Sequence, residues 1–459
     1  MLRAIVGAQK GDYILRCAED PAEPARLKCV LIIGADFAPS SYPPALRIRL
    51  FAGHLPQFGW EPVILTTDAR YYETATDEEN EKLLPENLEV IRTRAIPAWL
   101  TRKLRFGDLG LRSVWHHWQA VKRICEKRRV DAILTPIPPY PGIVLGRLAY
   151  DRFRIPYVVD YIDPYVTEYY WKLPRRQRPP KHALAYYTAR VLEPFALRRV
   201  AAVTGVDSSY TADLFVRYPW LKVPSASIPY GGEPADFDYV RQHPRRNPAF
   251  DPHDGRLHVS YVGRGGPDML PALRAVIQAM LLGLERRPEL FRRLRLHFVG
   301  TTYAHGDQVR HQVLQLAKEL SLENYIDEHP ERVPYLTAIQ IMLDSHALLA
   351  VGSESPHYTA SKIFPCILAK RPLLAVFHER SSVVEILRET EAGDAITFGD
   401  RGPGPATVDA IAQRLQSLLA LPPNSRPPTR WEAFEHYTAR AMTARLAAVL
   451  DRASSNVPV

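Results

Sequence analysis

Short apolar runs alternate with longer amphipathic stretches along almost the whole chain, and this alternation leaves few folds open. In the first half the runs are CVLIIG (29–34), EPVILT (61–66), LEVI (88–91), AILT (132–135), YVVDYI (157–162), VAAVTG (200–205) and SASIP (225–229). Amphipathic stretches such as 45–57 and 115–128 lie between several of them. A run that is apolar on both faces needs cover on both faces, and the intervening helices supply it. The pattern predicts a parallel sheet with helices on each side.

The pattern stops at RQHPRRNPAFDPHDGR (241–256), which is rich in proline and charge, has no period, and reads as a linker. A second series follows. LHVSYVG (257–263), LRLHFVG (294–300), ALLAVG (347–352), PLLAVF (372–377) and AITF (395–398) read as strands. In 271–284, Leu273, Val276, Ile277, Met280, Leu281 and Leu284 fall at helical spacing. The expected fold class is α/β, with two doubly wound Rossmann-like parallel-sheet domains in series. The divisions are an N-terminal extension at 1–28, a first domain at 29–240, the linker at 241–256, a second domain at 257–430, and a closing helix at 431–459 that returns to the first domain. Open parallel sheets take ligands at the carboxyl ends of their strands, so the natural site is the cleft between the domains. That reasoning does not choose a reaction.

Other features narrow the function. GADFAPSS (34–41) lacks the G-x-G-x-x-G spacing, and no Walker pattern occurs, which argues against a nicotinamide enzyme and a P-loop nucleotidase. The four cysteines, Cys17, Cys29, Cys125 and Cys366, have no metal-ligand spacing; Cys29 and Cys366 sit in apolar runs and read as buried thiols of a reducing compartment. The net charge of +9 favours anionic partners, although a solvated basic surface explains it as simply. No recognisable nucleic-acid module is present. No apolar run reaches the roughly 18–20 residues of a membrane span, and the first 28 residues lack the apolar core of a signal peptide. A cytoplasmic protein, peripheral to the membrane at most, is the expectation.

ASKIFPCILAKRP (360–372) places Ser361 and Lys362 before a short apolar helix. A lysine in a first helical turn opposes the helix dipole, and an anion bound there would explain it. An ordinary serine cap beside a solvated lysine is the competing reading.

This segment resembles the one that runs proline or serine–lysine, helix, glycine or lysine–proline, strand in family 4 glycosyltransferases, where it cradles the donor's diphosphate and ribose. Further blocks share the resemblance in order and spacing. IPYGGEPADF (228–237) is similar to the family's crossover between domains, YVGR (261–264) to the opening of its donor domain, and 34–66 to its first strand, acceptor loop, helix and second strand. The resemblance covers about 29–453. It implies the GT-B fold, a nucleotide-sugar donor held by the second domain, and a glycan or lipid-linked acceptor held by the first. No cofactor and no metal are implied. The donor's diphosphate would meet Arg264, Ser361 and Lys362, and EHPERVPY (328–335) would occupy the loop that meets the base.

The departures are specific. Many members carry two glutamates seven residues apart, the second of which binds the donor ribose; these positions hold Tyr358 and Pro365 here. Either Glu354, Tyr358 or Glu385 substitutes, or the activity is altered. Ser40 and Ser41 replace the family's glycine pair on the acceptor side, and the lysine expected after Arg264 is missing.

VVDYIDPY (158–165) puts Asp160 and Asp163 at the end of a buried strand, where they are expected to face the cleft. There a carboxylate would orient the acceptor hydroxyl or steady charge on the donor sugar; capping or a turn at Pro164 is the plainer alternative. His357, just before the phosphate segment, either reaches a phosphate or sugar hydroxyl or is structural. WKLPRRQRPPKH (171–182) follows Tyr165, Tyr169 and Tyr170 and joins aromatic to basic residues without an acid. It suits contact with an anionic membrane, or is a solvated loop. The overall expectation is a metal-independent, anomer-retaining glycosyltransferase of polysaccharide or glycolipid synthesis. The alternative is a non-catalytic relative acting as a scaffold in polysaccharide assembly.

Overall fold

The structure is a computed structural model that describes residues 26–102, 107–179, 181–302, 311–355 and 361–455. Residues 1–25 of the expected extension, Cys17, His357 and Tyr358 lie outside the described residues.

Two all-parallel sheets account for the apolar runs. The first contains β1 (Lys28–Ile33), β2 (Trp60–Thr67), β3 (Glu89–Thr93), β4 (Ala132–Ile137), β5 (Tyr157–Tyr161), β6 (Ala202–Gly205) and β7 (Ser225–Ser227), in the order 3-2-1-4-5-6-7. The second contains β8 (Leu257–Val262), β9 (Leu294–Val299), β10 (Ile326–His329), β11 (Ala347–Val351), β12 (Leu373–His378) and β13 (Asp394–Phe398), in the order 10-9-8-11-12-13. The order reverses between β1 and β4 and between β8 and β11. Those two points are where an open sheet leaves a crevice at its carboxyl edge.

Each sheet has a core on both faces. Leu31, Ile33, Val63 and Tyr157 point into one core of the first domain, and Val30, Ile32, Ile64 and Leu134 point into the other. Val259, Leu296, Leu349 and Val376 build one core of the second domain; Leu348, Ala350, Leu373 and Phe377 build the opposite one. Alternate residues of one strand feeding opposite cores is the two-sided burial that the continuous apolar runs imply. The stretch Pro267–Arg286 is apolar enough to cross a bilayer, yet half of it is buried. Leu273, Val276 and Met280 lie fully inside the second domain, so this is a core helix.

The division between domains differs from the expected linker. The helix Pro234–Gln242 buries Phe237 and Val240 in the second domain's core. The crossing therefore lies at 228–233, and 241–256 is surface chain of the second domain. Proline and charge mark an exposed loop here as well as they would mark a linker. The return crossing runs beside the first. The Gly232 amide donates to the Tyr437 carbonyl and the Ala439 amide to the Gly232 carbonyl, at 2.9 and 2.7 Å. A Cβ on Gly231 would stand 2.4 Å from the Ala439 nitrogen, so only glycine permits the approach. The closing segment splits around this crossing. Phe434 of the helix Trp431–Glu435 stays in the second domain, while Met442, Leu446 and Leu450 of Ala439–Ser455 pack into the first.

Polar contacts also span the division. Arg49, on the helix Pro43–His54, makes a two-pronged pair with Asp236 at 2.8 and 2.6 Å, and the Tyr335 hydroxyl donates to the same carboxylate at 2.8 Å. Arg245 pairs with Glu79 at 2.8 Å, and Leu83 packs on the second core. Elements after β1 and β2 thus meet the helix Pro234–Gln242, Tyr335 after β10 and the chain before β8.

Candidate functional site

On the second domain three cations gather at the carboxyl edge. Arg264 follows β8, Arg332 follows β10, and Lys362 stands at the N-cap of the helix Ile363–Leu368 between β11 and β12. The loops are held together by backbone: the Gly265 amide donates to the Thr301 carbonyl at 2.7 Å, and the Glu354 amide to the Asp268 carbonyl at 3.0 Å. Lys362 is pushed down to about 8 by burial, with the charges of Arg332 and Arg264 adding to the effect. Among the described residues no carboxylate pairs with its ammonium. A half-buried lysine facing two guanidinium groups is costly unless an anion shares the space.

The sequence expectation needs adjusting in detail. Arg264 grips Asp268 through two hydrogen bonds of 2.8 and 2.7 Å, so a bound anion would share this guanidinium with a carboxylate. Ser361 makes no capping bond, because the N-cap is Lys362 with helical backbone angles. The helix has only six residues, so side-chain charge outweighs the dipole here. Glu385 is exposed on the helix Ser382–Thr390 and meets Arg388 at 3.5 Å; no contact joins it to Lys362 or Arg264. Glu354 is exposed beside Ser353. Pro365 sits inside the short helix.

On the first domain the two aspartates part company. Asp160 is fully buried and bound on every side that matters. The Arg47 guanidinium donates to both its oxygens at 2.6 and 2.8 Å, and the Thr204 hydroxyl adds a third bond at 2.6 Å. This corrects the expectation that Asp160 opens on the cleft: a residue inside β5 points into the core, and Arg47 reaches in to neutralise it. Asp163, two residues past β5, is exposed. The protein around its carboxyl nevertheless raises its pKa, and it lies within charge range of Tyr140, Tyr210 and Tyr230. It is the carboxylate available to a ligand. Tyr140 stacks on Tyr165 with ring centres 4.6 Å apart, giving this edge a flat aromatic wall.

Ser40 and Ser41 belong to a braced loop. The Ser40 hydroxyl donates to Asp36 at 3.1 Å, Ser40 bridges to Thr76, and the Ser41 amide donates to the Ala75 carbonyl. Asp36 itself was not singled out by sequence reading. It is 1% exposed, burial pushes its carboxyl up to about 6, and its Oδ1 finds no partner among the described residues. Arg47, Arg332 and Asp268 were also missed. A charged residue three positions past an apolar strand was the signal for Asp36; an arginine on an otherwise apolar helix face was the signal for Arg47.

The basic loop is partly structural. Arg178 donates to the carbonyls of Trp171 and Leu173 at 2.8 Å and covers the Trp171 ring, whereas Arg175 and Arg176 are exposed. Among the described residues no group of three metal-binding side chains occurs.

Comparison with known proteins agrees with this fold. Residues 44–231 match the family model of the glycosyl transferase 4-like domain, a match that ends at the crossing between domains. No curated protein matches the chain. Solved structures do. HepE of Anabaena, crystallised with UDP and glucose, is 16% identical with a TM-score of 0.55, covering 92% of this chain and 99% of its own. A glycosyltransferase of Rickettsia africae is 14% identical with a TM-score of 0.52, covering 94% and 99%. A UDP-forming trehalose-phosphate synthase of Burkholderia xenovorans is 13% identical with a TM-score of 0.56, also covering 94% and 99%. The chain has the GT-B fold, and the resemblance to family 4 glycosyltransferases holds.

Proposed function

From a chain that carries a glycosyl transferase 4-like domain within a GT-B fold, we propose a glycosyltransferase that moves a sugar from a nucleotide diphosphate to a glycan or lipid-linked acceptor. The observation that supports it best is the convergence of Lys362, Arg332 and Arg264 at the second domain's carboxyl edge.

In this reading the diphosphate lies among these cations. As the glycosidic bond to the diphosphate breaks, negative charge grows on the leaving oxygen, and the fixed positive charges lower the barrier where that charge appears. Three cations supply the neutralisation that a metal would otherwise give, which favours a metal-independent reaction. The acceptor enters from the first domain beside Asp163, with Tyr140 and Tyr165 offering a face to a sugar ring. A hydroxyl hydrogen-bonded to Asp163 would lose its proton as it attacks. Support for retention of the anomeric configuration comes from the family resemblance alone. Asp160 and Arg47 act behind this edge as its brace, and Ser40 and Ser41 shape the acceptor loop. Synthesis of cell-surface polysaccharide or glycolipid at the inner face of the membrane is the setting this reading fits.

A thermal-shift screen of nucleotide diphosphates and nucleotide sugars tests it, because a ligand bound only by the native state raises the unfolding temperature. UDP is the first to try, since HepE was crystallised with it. A shift with the nucleotide diphosphate and with the corresponding nucleotide sugar is expected; no shift across the panel would refute donor binding. Pro365, standing where the family holds its ribose-binding glutamate, favours a second reading, a non-catalytic scaffold. That reading predicts nucleotide binding without turnover, or none.

A further inference from the structure

The helix His182–Leu197 is apolar on its outward side as well as on its inward one, where Ala189, Ala196 and Leu197 are buried. A surface helix normally turns its apolar stripe to the core and its charges to water. Here Glu193 is fully buried, paired with Arg217 at 2.8 Å and hydrogen-bonded by Tyr218 at 2.9 Å. The outward side carries Leu184, Tyr187, Val191 and Phe195, exposed by 58, 62, 68 and 39%. Their spacing of three and four puts them on one stripe about three turns long. Among the exposed large apolar residues of this domain they form the longest helical row.

The rim of the stripe is cationic. Residues 169–199 contain eight lysines and arginines against one acid, and that acid is the buried Glu193. Arg175 and Arg176 are exposed before the helix, Arg190 along it, and Arg198 and Arg199 after it. An apolar row framed by cations, with no exposed acid within 169–199 and the neighbouring Asp151 held by Arg147, complements one kind of surface, a bilayer with anionic headgroups. A protein partner would need an apolar groove with an acidic border, and a second copy of this chain would bring cations against cations.

We propose that the outward face of His182–Leu197 docks the protein on anionic membrane, with the stripe entering the headgroup boundary and the rim held by lipid charge. The purpose this docking serves, presenting a lipid-linked acceptor to the first domain, rests on the proposed sugar transfer; the docking itself does not.

Co-sedimentation of the full chain with vesicles tests it. The vesicles are phosphatidylcholine alone, or phosphatidylcholine with about one third phosphatidylglycerol, at low and high salt. Binding to the mixed vesicles that weakens as salt rises is expected, because screening shortens the reach of charge. Leu184→Ser with Val191→Ser should lower the affinity about tenfold or more, since two large side chains lose their burial. Arg175→Ser with Arg176→Ser should lower it by about fivefold per cation. Both variants change exposed positions, so an unaltered unfolding temperature confirms that folding is intact. Equal binding to neutral and anionic vesicles, no binding to either, or full binding by the stripe variant would overturn the proposal. So would a dimer in vesicle-free ultracentrifugation that the stripe variant abolishes. No nucleotide is present in this experiment, so its failure leaves donor binding untouched, and failure of donor binding leaves the membrane result standing.

Discussion

Lys362 offers a perturbation whose size can be worked from its surroundings. Burial and two neighbouring arginines hold its pKa at about 8 instead of the 10.5 of a free lysine. The sign follows from which form the site disfavours. In the unliganded protein the charged ammonium is penalised, so stability is lower when it is charged and recovers as pH rises from about 8 towards 10.5. A bound diphosphate reverses the preference, because an anion favours the ammonium. Phosphate's second ionisation is near pH 6, so the ligand changes little above pH 7. With a free-protein pKa of about 8, roughly nine tenths of the lysine is charged at pH 7 and one tenth at pH 9. The affinity for UDP should therefore fall about tenfold between those two values. At pH 8 binding should take up about half a proton. Titration calorimetry in buffers of different ionisation enthalpy measures both quantities. Lys362→Met should lose about ten- to hundred-fold in affinity at pH 7 and also lose the pH slope. Flat affinity from pH 7 to 9 without proton uptake, or a slope that survives in Lys362→Met, would refute the reasoning.

Three further outcomes follow from other buried groups. Asp36, with its carboxyl raised to about 6, favours the protonated form when folded, so stability should fall as pH rises from about 4 to 6. Asp36→Asn should remove that fall and raise the unfolding temperature at pH 7, and an unchanged pH profile would exclude the effect. Arg47→Met strands the Asp160 carboxylate in the core and should cost about 3–5 kcal/mol in urea unfolding; a loss under 1 kcal/mol would mean that water reaches Asp160. Asp236→Ala severs the Arg49 contact between domains and the Tyr335 bond that supports it, and calorimetric unfolding should then separate into two transitions where the native chain shows one.

Much of the architecture was legible because it rests on a local signal. A strand buried on both faces must be largely apolar along its length, and the inner strands announce themselves in this way. The edge strands β3, β7 and β13 are partly exposed and carry shorter apolar stretches, and β10, also at an edge, reads IDEH and gives no apolar run at all. Its Glu328 is buried only because Thr301 and the Leu314 amide bind it, a long-range arrangement with no periodic trace. The domain crossing was misplaced for a related reason. Pro234–Gln242 is a helix like any other in the sequence, and only the packing of Phe237 and Val240 assigns it to the second domain. At the site, Lys362 could be found from an unfavourable charge in a first helical turn. Arg332 could not, because its neighbourhood to Lys362 depends on how two loops fold over one edge. Asp160 and Asp163 look equivalent in sequence. A shift of three residues along a strand that ends between them buries one and exposes the other.

The central claim is that the cations around Lys362 hold a nucleotide sugar and drive departure of its nucleotide. Release of UDP from UDP-glucose and related donors by the full chain, with a metal chelator present, tests it most directly. The native chain should release UDP above the uncatalysed background from at least one donor, and Lys362→Ala should reduce that release about ten- to hundred-fold without lowering the unfolding temperature. Release that is equal in the native chain and in Lys362→Ala would contradict the account.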